Sequence, residues 1–140
     1  MAVDRESRRE IRRRARELFG DRLLGLFAFG SRVAGSPRAD SDLDLGVWIA
    51  GSIRRRDTWL PWLEAFEHED AGLDPTFFTD ASLDAPPPWL LEAVRAGVEV
   101  WFDPSGALTE RLDAIRRAID DGTYRRRLFM GLPYYERAPS

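Results

Sequence analysis

The hydrophobic positions along the chain follow two periods, one typical of helices and one typical of strands. Residues 4–20 carry a helical stripe of four apolar side chains, Ile11, Ala15, Leu18 and Phe19. The same spacing predicts further helices at about 58–69, 89–97 and 105–122. Short apolar runs between turn residues predict strands at 23–29, 43–50, 73–78 and 98–102.

The order of these predicted elements indicates the fold class. A helix and two strands joined by a short turn are followed by alternating helices and strands, which predicts a small α/β sheet with helices packed against it. A chain of 140 residues suits one domain with one core, and it contains no segment long enough to be a linker between two domains. Residues 123–140 contain arginines, aromatic residues and two prolines but show no clear period.

The strand predicted at 43–50 is preceded and interrupted by aspartates. Side chains two residues apart on a strand point to the same face, so Asp42 and Asp44 would lie on one face with Gly46 and Trp48. Two carboxylates this close repel each other unless a cation neutralises them. Oxygen ligands favour a hard ion such as Mg²⁺ or Mn²⁺, which completes its shell with water and substrate phosphates. The pair therefore indicates a metal and nucleotide site.

A Gly-Ser pair before this strand supplies the second half of such a site. Gly30 lets the backbone approach a phosphate closely, and a helical turn after it would present free N–H groups to an anion. Ser31 adds a hydroxyl donor and Arg32 adds a positive charge. Phosphate donors that face two carboxylates are the parts that phosphoryl transfer needs.

A third carboxylate would complete a two-metal site and could accept the proton of an attacking hydroxyl. Asp74 is the best candidate, because it lies at the start of the next predicted strand. Asp70 and Asp80 are weaker candidates, since one ends a predicted helix and the other is predicted in a turn. Pro75 removes a strand N–H, which favours an edge strand or a strand start at this position.

Composition excludes several other chemistries. The chain has no cysteine and no lysine, which excludes disulfides, Cys-ligated zinc, a GxxxxGK[ST] phosphate loop and Schiff-base catalysis. Its single histidine, His68, lies in a polar stretch and is expected at the surface.

The acidic residues are concentrated in the middle of the chain, so we expect no direct nucleic-acid binding. No apolar run approaches the length of a membrane span and the N-terminus is charged, so we expect a cytoplasmic protein without a membrane partner.

Residues 30–47, GSRVAGSPRADSDLDLGV, contain the pattern GS, ten residues, DXD. This pattern resembles the signature of the minimal nucleotidyltransferases (MNT) of the DNA polymerase β-like superfamily, and the likeness covers roughly residues 20–103. The resemblance implies a small mixed α+β sheet flanked by helices. It also implies a nucleotidyltransferase domain at 1–122, followed by a C-terminal tail at 123–140.

The same resemblance assigns roles to the candidate residues. It implies that Gly30 and Ser31 bind the triphosphate of ATP, that Asp42 and Asp44 are metal ligands, and that Asp74 is the third carboxylate. The implied reaction transfers a nucleoside monophosphate from the triphosphate and releases pyrophosphate, with Mg²⁺, in two ions, as the cofactor. Members of this family often act as antitoxins beside a separate HEPN toxin, an RNase, and some add AMP to a tyrosine of that toxin. A HEPN-type partner and a hetero-oligomer are therefore also implied.

Two other functions stay open at this point. An antitoxin that binds a nucleotide at a weak or inactive site and neutralises its partner by contact would carry the same motifs, and so would a small-molecule nucleotidyltransferase. The residues after 103 offer one helix and a tail, too little for a domain that holds a small acceptor, which favours a protein acceptor. The tail around Phe129, Tyr134 and Tyr135 is either a segment that docks a partner or a segment folded onto the core of the chain itself.

Overall fold

The computed structural model describes residues 5–30, 43–66 and 72–139. Its five helices are α1 (Arg5–Phe19), α2 (Trp59–Phe66), α3 (Asp80–Asp84), α4 (Pro88–Ala96) and α5 (Ala107–Asp120). Its six strands are β1 (Leu23–Phe29), β2 (Leu43–Ile49), β3 (Leu73–Phe78), β4 (Glu99–Phe102), β5 (Tyr124–Phe129) and β6 (Leu132–Arg137). None of the described helices is both long and apolar enough to cross a membrane.

Four of the strands form one mixed sheet in the order β3-β2-β1-β4. β1 runs antiparallel to both β2 and β4, whereas β2 and β3 are parallel. β1 and β2 follow one another in the chain and pair antiparallel, whereas the crossover between β2 and β3 contains the helix α2, which allows the parallel pair. The predicted small mixed α/β sheet with flanking helices is confirmed.

Apolar side chains cover both faces of this sheet, and we name the two faces by their helices. The α1–α2 face carries the odd-numbered residues of β2, which are buried against Ile11, Ala15, Phe19 and Trp62. The α4–α5 face carries Phe27, Trp48 and Phe78, which lie in one cluster with Leu90, Leu91, Leu108 and Leu112. Alternation along β2 therefore places its neighbouring residues in two separate cores, as its sequence pattern predicts.

The predicted helices are present. α1 is one residue shorter at each end than the pattern indicates and α5 two residues shorter, whereas α4 begins and ends one residue earlier. In α1, the apolar residues Ile11, Ala15 and Phe19 are buried, which confirms the predicted stripe. α2 is described as far as Phe66, and Pro61 lies in its first turn, where a missing N–H costs no helical hydrogen bond. The sequence pattern did not predict α3, and Asp80, predicted in a turn, begins this short helix.

The C-terminal segment forms a β-hairpin that the sequence analysis did not predict. β5 and β6 pair antiparallel from Tyr124–Arg137 to Phe129–Leu132, in a two-stranded sheet separate from the main one. Met130 and Gly131 connect the strands with φ angles of 52° and 82°, as two-residue hairpin loops of type I′ require. The tail is therefore an ordered element.

Candidate active site

Asp44 and Asp74 lie side by side at the starts of two parallel strands. They are direct Cα partners in the register of β2 and β3, so their side chains leave the sheet on the same face, about 4.8 Å apart at the backbone. Asp44 is half-buried and Asp74 is exposed. The structure thus brings the predicted third carboxylate next to one member of the predicted pair.

Gly30 lies against the carboxylate of Asp44. It directly follows the last residue of β1 and has a φ of 92°, a conformation that residues with a side chain rarely adopt. A Cβ atom built on Gly30 would lie 2.3 Å from Oδ2 of Asp44, far inside van der Waals contact. Glycine at this position therefore lets the backbone that leads into the Gly-Ser pair approach the carboxylate.

The position of Pro75 in β3 is compatible with an intact strand pair. The backbone N–H of Leu43 donates to the carbonyl of Gly72 at 2.8 Å, and backbone groups on a strand point alternately to its two sides. The polar backbone groups of Asp74 and Thr76 consequently face β2, whereas the nitrogen of Pro75 points away from it. β3 lies at the edge of the described sheet, so this proline removes no hydrogen bond between β2 and β3.

An aromatic wall that no sequence pattern predicted lies beside Asp44. Phe29 is the β1 partner of Asp44, and its ring lies 5.7 Å from that of Trp89 in α4. Phe27, one pair further along the sheet, lies 6.5 Å from Trp89 in a stacked orientation. Phe29 and Trp89 are both half-buried. The alternation of Phe27 and Phe29 along β1 indicates that they share a face, but no pattern in the sequence places Trp89 beside them.

Asp80, one of the weaker candidates for the third carboxylate, forms a long-range hydrogen bond. Its Oδ1 atom accepts a hydrogen bond from Nε1 of Trp48 at 2.8 Å, across 32 residues of sequence. This bond satisfies the indole N–H of a nearly buried tryptophan. Asp80 therefore ties the start of α3 to β2.

Several predicted site residues lie outside the described residues, namely Ser31, Arg32, Asp42 and Asp70, together with His68. Among the residues that the structure describes, no group of three or more acidic or histidine side chains is arranged to hold a metal ion. The described part of the site consists of two carboxylates in register, and carboxylate oxygens are the ligands that Mg²⁺ prefers. Asp44 and Asp74 thus fit one side of a magnesium site, and Asp42 is the third residue predicted for it.

A groove of about 730 Å³ on the described residues lies elsewhere. It runs between α1 and the end of β4, beside Leu23 and Leu24, and so at the opposite end of β1 from Gly30. Its guanidinium groups include that of Arg12, which donates to the Trp101 carbonyl, and that of Arg16, which lies over the Phe102 ring. Both contacts attach α1 to β4, so we interpret this groove as a helix-packing feature.

Comparison with known proteins identifies solved structures of the same fold. One is a crystal structure of a toxin–antitoxin with AMP-PNP (19% identity, 82% of this chain, 96% of that chain, TM-score 0.54). Another is a tri-AMPylated Shewanella oneidensis HEPN toxin in complex with MNT antitoxin (17% identity, 86% of this chain, 98% of that chain, TM-score 0.51). A third is the toxin–antitoxin MntA-HepT (17% identity, 85% of this chain, 97% of that chain, TM-score 0.50).

No family model matches the sequence, and no curated protein matches it either. The similarity that the comparisons show is therefore one of fold. The described sheet, its order and its flanking helices agree with the fold that the motif implies. The chain has the nucleotidyltransferase fold of the MNT antitoxins, as its resemblance to them predicts.

Proposed function

We propose that this protein is a Mg²⁺-dependent nucleotidyltransferase that transfers AMP from ATP to a partner protein and thereby acts as an antitoxin. The observation that carries this proposal is the register of Asp44 with Asp74, with Gly30 in contact with the Asp44 carboxylate. Two neighbouring carboxylates beside a glycine that admits phosphates are what metal-assisted nucleotidyl transfer requires.

Each predicted residue has a role in this reaction. Gly30, Ser31 and Arg32 would bind the triphosphate, and Asp42, Asp44 and Asp74 would hold two Mg²⁺ ions, for which Mn²⁺ is a substitute. When bound, the metal neutralises phosphate charge and lowers the cost of the developing negative charge.

The transfer itself is a single displacement at the α-phosphorus. The acceptor oxygen forms a bond to this phosphorus while the bond to the bridging oxygen of the β-phosphate breaks, and pyrophosphate leaves. Asp74 is the exposed carboxylate of the pair, and we assign it the proton that the acceptor hydroxyl loses.

The solved structures support the identity of the acceptor. In one of them AMP-PNP is present, and in another a HEPN toxin carries AMP groups in complex with MNT antitoxin. We therefore propose a HEPN-type toxin as the partner and a tyrosine hydroxyl as the acceptor. The protein would act in the cytoplasm as part of a hetero-oligomer with this partner.

The test is transfer of label from α-labelled ATP to the HEPN-type protein encoded beside this chain, in the presence of Mg²⁺. We expect the wild-type chain and the surface control Asp113→Asn to label the partner, because Asp113 is an exposed carboxylate of α5 that belongs to no predicted site. We expect Asp44→Asn and Asp74→Asn to reduce the labelling rate at least about a hundredfold. Equal labelling by all four proteins would contradict the proposal.

The same variants separate the two alternative functions. If Asp44→Asn abolishes labelling but still protects cells from the partner, the protein neutralises by contact. If labelled ATP reacts with small hydroxylated compounds and leaves the partner unlabelled, the protein is a small-molecule nucleotidyltransferase. Loss of both labelling and protection in Asp44→Asn supports AMP transfer as the antitoxin activity.

A further inference from the structure

The tip of the β5–β6 hairpin exposes a group of large apolar side chains. Phe129 is 68% exposed, Met130 87% and Leu132 70%, and Leu128 and Tyr134 beside them are also exposed. Phe129 and Leu132 are direct partners across the two strands, so they form a continuous surface with Met130 in the turn. We call these five residues the hairpin tip. Single exposed apolar residues are ordinary, but a contiguous group of this kind marks an interaction surface.

The base of the hairpin, in contrast, is fixed to the α4–α5 face of the protein. Nε of Arg126 donates to Oε1 of Glu92 in α4 at 2.5 Å, and the Tyr135 hydroxyl donates to the same oxygen at 3.2 Å. Burial, and next the Glu92 carboxylate, raise the pKa of Tyr135, so its phenol keeps the proton that it donates. Tyr124 and Tyr135 also pack against the α4–α5 core. These contacts fix the base of the hairpin to the protein, while the hairpin tip stays exposed.

The turn itself is occupied by an unfavourable residue. Met130 has a φ of 52°, which favours asparagine, aspartate or glycine, and its side chain is almost fully exposed. Neither backbone conformation nor burial within the chain accounts for a methionine at this position. Flexible and polarizable methionine side chains are, however, common on surfaces that bind other proteins.

The anchor also places the hairpin near the candidate active site. Glu92 is one helical turn after Trp89 in α4, and Trp89 belongs to the aromatic wall beside Asp44. Tyr124 and Tyr135 lie in the same core cluster as Phe29 and Trp89. A protein held by the hairpin would consequently contact the side of the molecule on which Asp44 and Asp74 open.

We propose that the hairpin tip docks the HEPN-type partner by inserting into an apolar pocket on it, so that the acceptor hydroxyl is held near the carboxylates. This inference rests on the proposed function, which supplies the partner. Arg125 on the outer face of β5 would contact acidic residues around that pocket, whereas Arg127 on the same face pairs with Glu136 at 3.5 Å. A second copy of this chain is a weaker occupant, because the hairpin is anchored on the face on which Asp44 and Asp74 open, where the acceptor of the proposed transfer has to be held. The five side chains suffice as the central anchor of a larger contact with this partner.

The test replaces apolar tip side chains without weakening the turn. In the double variant Met130→Asn, Leu132→Thr, asparagine suits the positive φ and threonine suits a strand, so the hairpin should stay folded. The control Leu60→Thr removes a comparable exposed apolar side chain, 50% exposed, from α2 on the other face of the sheet. Titration calorimetry of the full chain with the partner measures affinity, and a thermal midpoint for each variant measures folding.

We expect the double variant to bind the partner at least about tenfold more weakly, with an unchanged thermal midpoint and unchanged ATP binding, whereas Leu60→Thr binds as wild type does. Affinity within twofold of wild type would overturn the docking proposal, and so would a wild-type chain that does not bind the partner. A tip variant that instead converts a dimer of this chain into a monomer would identify a second copy as the occupant. Label transfer measured in the same samples keeps the two proposals apart, because tip-dependent binding without labelling overturns only the AMP transfer.

Discussion

The two faces of the central sheet are built from the same strands but serve different purposes. On the α1–α2 face, Leu45 and Val47 are completely buried, and the apolar surface continues to the start of β2 at Leu43. On the α4–α5 face, the buried aromatic residues stop short of the strand start, where Asp44 is half-buried and Asp74 exposed. Alternate residues of one strand thus provide stability on one side and candidate chemistry on the other. Substitutions on the two faces should therefore have separable effects.

The largest effect is expected on the purely apolar face. Leu45→Ala removes a completely buried side chain and leaves a cavity, so the free energy of unfolding should fall by about 2–5 kcal/mol. Urea denaturation measures this loss. Since Leu45 points away from the carboxylates, the folded fraction of the variant should bind ATP and Mg²⁺ as the wild-type protein does. Weaker nucleotide binding by fully folded Leu45→Ala protein would show that packing on the α1–α2 face affects the carboxylate site on the other face.

A smaller loss of stability is expected from a substitution at Gly46, on the α4–α5 face. A Cβ atom on Gly46 would lie 2.3 Å from the ring of Phe27, which occupies the space above this glycine. Gly46→Ala should therefore lower the free energy of unfolding by about 1–3 kcal/mol through overpacking. The double variant Gly46→Ala, Phe27→Leu tests the cause, because a narrower side chain at residue 27 should restore part of the loss. If the added Phe27→Leu substitution only lowers the stability further, steric overlap is not the cause.

The difference between the faces was largely predictable within each strand. The alternation of Leu43, Leu45 and Val47 with Asp44 and Gly46 shows in the sequence which side chains share a face, because side-chain direction on a strand has a fixed period. The predicted bounds of the four strands of the main sheet agree with the structure to within one residue.

What the sequence does not determine is how separate elements meet. The register that pairs Asp74 with Asp44 depends on how α2 returns the chain to the sheet, which no local pattern fixes. The short helix α3 is tied to β2 by the bond between Asp80 and Trp48, a long-range contact. The hairpin escaped prediction because Met130-Gly131 lacks the asparagine or aspartate typical of such turns.

Gly30 offers a direct test of the polar end of the α4–α5 face. Gly30→Ala and Gly51→Ala both place a side chain at a positive φ, 92° and 86°, so both should cost about 1–2 kcal/mol of stability. Only at Gly30 would the new Cβ overlap the Asp44 carboxylate, since the atom nearest to a Cβ on Gly51 is 3.8 Å away. Gly30→Ala should therefore weaken Mg²⁺-dependent ATP binding at least about tenfold, whereas Gly51→Ala should not. Equal ATP affinity in the two variants, measured by calorimetry, would show that Gly30 is not part of the ATP-binding site.

The smallest expected effect concerns α5, the helix that covers only the α4–α5 face. Asp103 accepts hydrogen bonds from the backbone N–H groups of Leu108 at 3.0 Å and Thr109 at 2.8 Å, at the positive end of this helix. Burial alone would raise the pKa of Asp103, but the hydrogen bonds from Thr109, Leu108 and Gly106 outweigh it and hold the pKa below its ordinary value of 3.8.

The carboxylate of Asp103 therefore stabilises the fold at every pH above about 3.8, and this contribution disappears as the pH falls through the lower pKa of the folded state. Asp103→Asn should lower the free energy of unfolding by about 0.5–1 kcal/mol at pH 7, as loss of a helix-capping carboxylate does. The difference between variant and wild type should shrink when urea denaturation is repeated at successively lower pH below 4. Amide hydrogen exchange should locate the loosening in α5 and leave the amides of α1 unchanged, because α1 packs on the opposite face. Equally faster amide exchange in α1 and α5 would mean that the two faces of the sheet unfold as one unit.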